Sequence, residues 1–166
     1  MEFLRDSKGC IVNISSDKAT RPEPGLLAFN MSKAGVEALS KASAMEFAPF
    51  GIRVNCVAPS FIDTNLYRSA GLSEAEVDAL KIRAKSTMPM ARLGLSTEVA
   101  KAIIFLTSEH AVKITGHVMR VDGGRSLTSR GQLDWYGWQY MNRKFEQESS
   151  SYYTFMMYQQ ERTQPP

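Results

Sequence analysis

Two short apolar runs, separated by a long helical segment, constrain this chain more than any other feature. Residues 10–15 (CIVNIS) and 52–58 (IRVNCVA) are nearly continuous in apolar residues, without the strict alternation of a half-exposed strand. Such runs are typical of strands that are buried on both faces of a parallel sheet. Parallel neighbours need a crossover of a dozen or more residues, and the helical pattern over 26–48 provides one.

Further along the chain, strand and helix patterns continue to alternate. Ser73 and Glu76 have the spacing of a capping box, which predicts that a helix begins there. A second helix is predicted over 96–109, with Ser96 as its N-cap, and residues 116–124 (GHVMRVDGG) predict a third strand. This alternation predicts an α/β fold with a parallel sheet.

Composition narrows the possible functions. The chain has 166 residues, enough for one domain with a real core, and a formal net charge of only +3, so nucleic acid is not an expected partner. No apolar run has the length of a membrane span and no secretory signal is recognised, so we expect an intracellular protein, either cytoplasmic or mitochondrial. Cys10 and Cys56 are expected to be buried free thiols. No metal site is predicted at His110 or His117, since neither has a cluster of ligands nearby.

Five segments resemble, in order and spacing, the C-terminal half of the short-chain dehydrogenase/reductase family. They are GCIVNISS (9–16), FNMSK (29–33), GIRVNCVAPSFIDT (51–64), RLGLSTEVAKAIIFLTSE (92–109) and ITGHVMRVDGG (114–124). Any one of these segments would be weak evidence for the family. Together they are specific evidence, because several independent spacings agree with the family's pattern. The resemblance implies that residues 1–131 form half of a Rossmann-like, doubly wound parallel sheet, followed by an extension over 132–166.

The family's chemistry assigns roles to particular positions. A hydride passes between a nicotinamide ring and a carbinol carbon, while a tyrosine phenol moves the proton on oxygen and a serine polarises that oxygen. A lysine four residues after the tyrosine activates the phenol and holds the nicotinamide ribose. Lys33 matches this lysine, and Ser16 matches the serine, with Ser15 as the less favoured neighbour. Without the resemblance, the residues themselves favour a plainer interpretation, in which Ser16 is a turn residue and Lys33 is a surface lysine.

Phe29 occupies the place that the resemblance assigns to the tyrosine. Phenylalanine has no titratable proton, so general acid–base catalysis, typically worth roughly 10²–10⁴ in rate, is lost at this position. No Tyr or His stands close by as a substitute, and Tyr67 is the nearest downstream tyrosine. Whether the protein is an enzyme stays open, and this departure favours an inactive relative.

The chain also lacks the family's nucleotide half, since no glycine-rich turn follows a strand. We therefore expect no cofactor for this chain alone, and NAD(P) where the missing half is present. A vestigial nicotinamide end is implied at Ile14, Ser15, Lys33, Pro59, Ser60, Ile62 and Thr64. Ser60 replaces a family glycine and is expected to restrict the backbone turn.

Three functions follow as hypotheses. The favoured one is a catalytically inactive structural or interaction subunit of a larger assembly. The alternative is an NAD(P)-dependent oxidoreductase, of carbonyl reductase or alcohol dehydrogenase type, whose cofactor half is missing from this chain or supplied by a partner. A third is a regulatory partner that dimerises with an active relative. The opening residues MEFLRDSKG resemble a helix entered midway, so completeness upstream of Met1 is open as well.

The sequence predicts two surfaces for other polypeptides. A partner or a second copy is expected to cover the sheet edge at 10–15 and the helix 27–48, because the family's flanking elements are missing. Residues 132–166 contain nine aromatic residues, a composition unlike that of most disordered tails. This segment is predicted to contact another chain, with folding back over its own domain as the alternative.

Overall fold

The computed structural model describes residues 2–128, so the predicted interaction arm over 132–166 lies outside the described residues. The helices are α1 (Glu2–Asp6), α2 (Leu27–Phe47), α3 (Leu66–Ser69), α4 (Glu74–Thr87) and α5 (Ser96–Thr107). The strands are β1 (Cys10–Ile14), β2 (Arg53–Pro59), β3 (Ile62–Asp63), β4 (Gly94–Leu95) and β5 (Val118–Val121). Short 3₁₀ turns occur at Asp17–Ala19, Ala48–Phe50, Glu109–Ala111 and Arg125–Leu127.

The main sheet has the strand order β1-β2-β5, and both pairings are parallel. Cys10 lies opposite Arg53 in the first pairing, and Cys56 lies opposite Val118 in the second. The predicted α/β fold with a parallel sheet is confirmed, and all three predicted strands form. β2 is the buried centre of this sheet, whereas the residues of β1 are half-buried or exposed.

A second sheet, formed by β3 and β4, was not predicted from the sequence. Its strands pair in parallel, with Ile62 opposite Gly94, and each has only two residues. Strands of this length carry no periodicity that a sequence pattern can detect. Gly94 leaves room for the Ile62 side chain, since a Cβ at this position would lie 2.6 Å from its Cδ1 and Ile62 would have to shift.

Helix α2 packs against the sheet and places its first turns beside the carboxyl end of β1. Ala44 on its inner face joins Ile52 and Val54 in an apolar core cluster. After the 3₁₀ turn that extends the helix, Gly51 takes a positive φ of 75° and turns the chain into β2. A second cluster, formed by Phe61, Ala84, Met88 and Leu93, holds α4 against the loops.

The helix caps confirm one sequence prediction and contradict another. At the start of α4, the Ser73 N–H donates to the Glu76 carboxylate at 2.8 Å, and the Ser73 hydroxyl accepts from the Glu76 N–H, as predicted. The prediction that Ser96 caps α5 is wrong, since Ser96 is the first helical residue and Leu95 takes the cap position. There the Glu98 carboxylate accepts the Leu95 N–H at 2.8 Å, which is the half of a capping box that the third helical residue provides.

The Glu98 carboxylate should make stability depend on pH. Hydrogen bonds from the Arg92 guanidinium and the Leu95 N–H lower the pKa of Glu98 from 4.5 to about 2. A carboxyl whose pKa is lower in the folded state stabilises fully above its unfolded pKa and loses that contribution as the pH falls through its folded pKa. We expect Glu98→Gln to lower Tm at pH 7, and this deficit to shrink between about pH 4.5 and pH 2. Thermal unfolding measures it, with the exposed Glu46→Gln as control; a deficit that is constant with pH would contradict it.

Candidate active site

The carboxyl ends of the three parallel strands bring the predicted site residues to one edge of the main sheet. Ser15 follows β1, and its N–H donates to the Val57 carbonyl of β2 at 2.8 Å. Ser60 follows β2, and its N–H donates to the Val121 carbonyl of β5 at 3.2 Å. Ligands of open parallel sheets bind at the carboxyl ends of the strands, so this edge is the candidate binding site.

Lys33, on the second turn of α2, reaches across to the tip of β1. Its Nζ donates to the Ile14 carbonyl at 2.9 Å and lies 5.7 Å from the centroid of the Phe29 ring. Ile14 and Phe29 are each 41% exposed. The structure therefore brings Ile14, Phe29 and Lys33 together on an open surface.

Ser15 and Ser16 face different surroundings although they are adjacent. Ser15 is buried, and its hydroxyl lies 3.0 Å from the Lys33 carbonyl and 3.1 Å from Oε1 of the buried Glu37. Ser16 is half-buried; its hydroxyl accepts from the Lys18 N–H at 3.3 Å and lies 3.2 Å from Oδ1 of Asp17. Since Ser15 is occupied by α2, Ser16 is the serine whose hydroxyl is placed to meet a ligand.

The segment after β2 carries the remaining predicted positions, from Pro59 to Thr64. Ser60 donates its hydroxyl to Oδ2 of Asp17 at 2.9 Å. The φ of Ser60 is not positive, so the turn forms with a backbone conformation that serine readily adopts, and its restriction of the backbone stays a prediction. Ile62 is half-buried in β3, and the exposed Thr64 accepts the Leu66 N–H at 3.4 Å.

A buried group of charged residues lies beside Ser16 and was not predicted from the sequence. Asp17, Lys18 and Arg125 are all more than nine-tenths buried. The Arg125 guanidinium lies 3.5 Å from Asp17 Oδ2 and 4.1 Å from the centroid of the Phe61 ring. Lys18 Nζ lies 2.6 Å from Glu23 and 3.9 Å from Asp17 Oδ2. The sequence signal available was a short loop, 17–23, with four charged residues, whose partner Arg125 stands about a hundred positions away.

The electrostatics of this charged group follow from its burial and its pairing. Burial alone would raise the pKa of Glu23, but the Lys18 hydrogen bond and the charges of Lys18, Arg83 and Arg125 lower it. Burial lowers the pKa of Arg125, although the charges of Asp17 and Glu23 oppose this effect. Nη1 and Nε of Arg125 are buried without a hydrogen-bond partner, so its contact with Asp17 is an ion pair and not a hydrogen bond.

Tyr67 does not take over the role of a catalytic phenol in this geometry. It packs against the cluster around Phe61 and Met88. Burial and then the negative charge of Asp17 raise the pKa of its hydroxyl. General acid–base catalysis near neutral pH needs a phenol whose pKa is lowered, which is the opposite shift.

A cavity of about 350 Å³ opens between the end of β5 and the start of α5. It has apolar walls, and charges of both signs also line it: Phe61, Met88 and Met90 are the apolar residues, and Arg92, Arg120, Glu98 and Asp122 the charged ones. Its volume is within the range of small-molecule sites. Phe61 also faces the Arg125 guanidinium, so this side chain separates the cavity from the buried charges.

The residues at the sheet edge fit one end of a nicotinamide cofactor. Lys33 uses one of its three N–H donors on Ile14, which leaves two for the hydroxyls of a ribose. The exposed Thr64 hydroxyl adds a further polar group. The sequence has no glycine-rich turn after a strand, which is the usual cradle for a pyrophosphate.

Two classes of site find no support in the described residues. From residue 2 to 128, no group of three or more His, Cys, Asp and Glu side chains could hold a metal ion. Over the same residues, no helix has the length and apolar character needed to cross a membrane.

The fold and the residues at the carboxyl edge of the main sheet define a dehydrogenase-like α/β protein, and comparison with known proteins identifies its family. A family model described as enoyl-(acyl carrier protein) reductase matches residues 1–126. The 3-oxoacyl-[acyl-carrier-protein] reductase FabG of Chlamydia trachomatis is 40% identical over 122 residues, covering 74% of this chain and 47% of the relative. The short-chain dehydrogenase fogB of Aspergillus ruber is 39% identical over 123 residues, covering 74% and 44%. The chain belongs to the short-chain dehydrogenase/reductase family.

Solved structures agree with this assignment. A short-chain dehydrogenase/reductase of unknown function from Caenorhabditis elegans, solved with cofactor, matches with a TM-score of 0.72 and 30% identity, covering 76% of this chain and 49% of that one. The aldohexose dehydrogenase of Thermoplasma acidophilum matches with a TM-score of 0.68 and 36% identity, covering 75% and 50%. The chain thus spans about half the length of the relatives that it matches.

Proposed function

We propose that this chain forms the substrate-side half of an NAD(P)-dependent oxidoreductase of carbonyl reductase or alcohol dehydrogenase type. The nucleotide half is then provided by polypeptide outside these 166 residues, either from a partner or from the same protein. The observation that carries the proposal is the position of Lys33, whose ammonium group is held at the tip of β1 by Ile14 and faces the open sheet edge. The names of the relatives, a reductase and a dehydrogenase, support the same class of reaction.

Within this proposal, each residue at the edge has a task. When bound, the nicotinamide ring supplies or accepts the hydride. Lys33 holds the ribose hydroxyls and Ser16 hydrogen-bonds the substrate oxygen, while Ile62 faces the carboxamide and Thr64 lies near the phosphates. Ile14, Ser15, Pro59 and Ser60 shape the backbone around them.

A structural or interaction subunit without activity is the second candidate, and Phe29 is the observation that favours it. The assignment of Phe29 to the tyrosine position rests on the family spacing and is itself a proposal. A side chain without a titratable proton cannot act as the general acid. This was the favoured hypothesis from the sequence, and we place it second because the relatives are named as reductases and dehydrogenases.

Nicotinamide binding tests the proposed function. We expect the 166-residue chain alone to show no saturable micromolar binding of NADH or NADPH, since the phosphate end of the site is missing. The protein assembled with its nucleotide half should bind one of them. Lys33→Met should then weaken binding about tenfold to a hundredfold, because hydrogen bonds to a charged group contribute about 1.5–3 kcal/mol.

Nicotinamide fluorescence during titration measures each dissociation constant. Lys41→Met is the matched control, since Lys41 is exposed on the same helix. The proposal fails if the assembled protein binds neither cofactor. Micromolar binding by a verified 166-residue chain would show instead that the phosphate half of the site is not needed.

Three further expectations from the sequence stay proposals. The arm over 132–166 is proposed to contact another chain, and the protein is proposed to act inside the cell, in the cytoplasm or in mitochondria. The sheet edge at 10–15 and helix α2 are proposed as the surfaces that a partner or a second copy covers.

A further inference from the structure

The hydroxyl of Ser16 is oriented toward a carboxylate, which gives it a direction for proton transfer. It lies 3.2 Å from Asp17 Oδ1 and accepts the Lys18 N–H at 3.3 Å. A carboxylate offers only acceptors, so the Ser16 proton points to Asp17. A serine oxygen has two lone pairs, and the one that remains can accept a hydrogen bond from a substrate hydroxyl.

The two oxygens of Asp17 have separate surroundings. Ser60, Lys18 and Arg125 all approach Oδ2, at 2.9, 3.9 and 3.5 Å. Ser16 is the group at Oδ1. Asp17 is thus held in place through one oxygen and hydrogen-bonded to Ser16 through the other.

The charges that face Asp17 are partly occupied elsewhere. Lys18 lies closer to Glu23, at 2.6 Å, than to Asp17. Arg125 makes an ion pair with Asp17 but no hydrogen bond from Nη1 or Nε. Two further guanidinium groups border this cluster: Arg21 donates to the Arg125 carbonyl, and Arg83 pairs with Glu23 at 3.0 Å. The cations and the Ser60 hydroxyl therefore hold Asp17 through Oδ2, and Oδ1 is the oxygen that faces the Ser16 hydroxyl.

We propose that Asp17, acting through the Ser16 hydroxyl, takes up the proton that Phe29 cannot accept; this rests on the proposed oxidoreductase function. In alcohol oxidation, the hydride leaves the carbinol carbon for the oxidised nicotinamide ring, and the C–O bond becomes a carbonyl. The hydroxyl proton of the alcohol moves to Ser16 Oγ, and the Ser16 proton moves to Asp17 Oδ1, which becomes a neutral carboxyl. Carbonyl reduction is the reverse. Asp17 is a positioning and proton-accepting residue, and Ser16 is the group that touches the substrate.

The test uses the protein assembled with its nucleotide half, a panel of secondary alcohols, and NAD(P)⁺. We expect Asp17→Asn, which keeps the shape of the side chain, to lower kcat by about a hundredfold or more while the NADH dissociation constant is unchanged. Adding Phe29→Tyr to Asp17→Asn should restore kcat to within about tenfold of wild type, because a phenol beside Lys33 can move the proton. Asp78→Asn is the matched control, an exposed aspartate on α4.

Each outcome decides the question. An undiminished kcat in Asp17→Asn, with NADH still bound, overturns the proposed proton relay from substrate through Ser16 to Asp17. It leaves the proposed oxidoreductase function intact. The relay is also wrong if Phe29→Tyr gives no rescue in a normally folded double variant, because Asp17 is then merely structural. An assembled protein that binds no cofactor, or oxidises no alcohol of the panel, refutes both proposals.

A second readout needs no cofactor. In the 166-residue chain, the Ser16 hydroxyl proton should exchange slowly enough to give its own NMR signal, and Asp17→Ala should abolish that signal. Equal exchange in the wild type and in Asp17→Ala would overturn the hydrogen bond on which the relay depends.

Discussion

Replacing Arg125 by methionine should lower the free energy of unfolding by about 3–5 kcal/mol, because it leaves Asp17 as a buried charge without its nearest cation. Lys18 cannot easily substitute, since its ammonium group is 2.6 Å from Glu23 and 3.9 Å from Asp17. Methionine keeps much of the side-chain volume over the Phe61 ring, so lost packing contributes little. Urea denaturation of the 166-residue chain measures the change in free energy.

A second substitution separates charge from packing in this prediction. Asp17→Asn in the Arg125→Met background removes the uncompensated charge, so the double variant should recover most of the loss. Arg120→Met is the control, because Arg120 is exposed and hydrogen-bonds Thr20, and it should change the free energy of unfolding by less than about 0.5 kcal/mol. If Arg125→Met were as mild as this control, the buried ion pair would not stabilise the fold.

The sequence predicted the elements that carry a repeating pattern. The apolar runs over 10–15 and 52–58 became β1 and β2, and the capping box at Ser73 formed as expected. Hydrophobic periodicity and capping act over a few neighbouring residues, so they are visible in a single segment of sequence. The prediction for the α5 cap failed by one position, because Ser96 is the first helical residue and Leu95 takes the cap position.

The candidate site was predictable only in part, for a physical reason. Lys33, Ser16 and Phe29 were found because a family spacing links them within one stretch of the chain. The buried charges depend on Asp17 meeting Arg125, which no local pattern records. Ser60 was singled out because it replaces a family glycine, and its hydrogen bond to Asp17 was not predicted. Contacts between loops at strand ends appear only once the strands are in register.

The second prediction with a large expected effect concerns self-association of the chain. We expect the purified 166-residue chain to sediment as a dimer or a larger species at micromolar concentration. Leu27, Met31 and Met45 are 74, 66 and 80% exposed along one face of α2, and Ala38 lies between them on that face. Exposed apolar surface of this kind marks an interaction site. The half-buried residues of β1 add a sheet edge that is unpaired within residues 2–128.

Ala38→Glu should return the chain to a monomer without changing its circular dichroism. Burying an unpaired carboxylate in an apolar interface costs several kcal/mol, so the dissociation constant should rise by about a hundredfold or more. Ala79→Glu makes the same change at an exposed position of α4 and should leave the sedimentation unchanged. A wild-type chain that is a stable, well-folded monomer would refute association altogether. If both variants still associate, the contact lies outside this face of α2, and the proposed surfaces that remain are the open edge of β1 and the arm over 132–166.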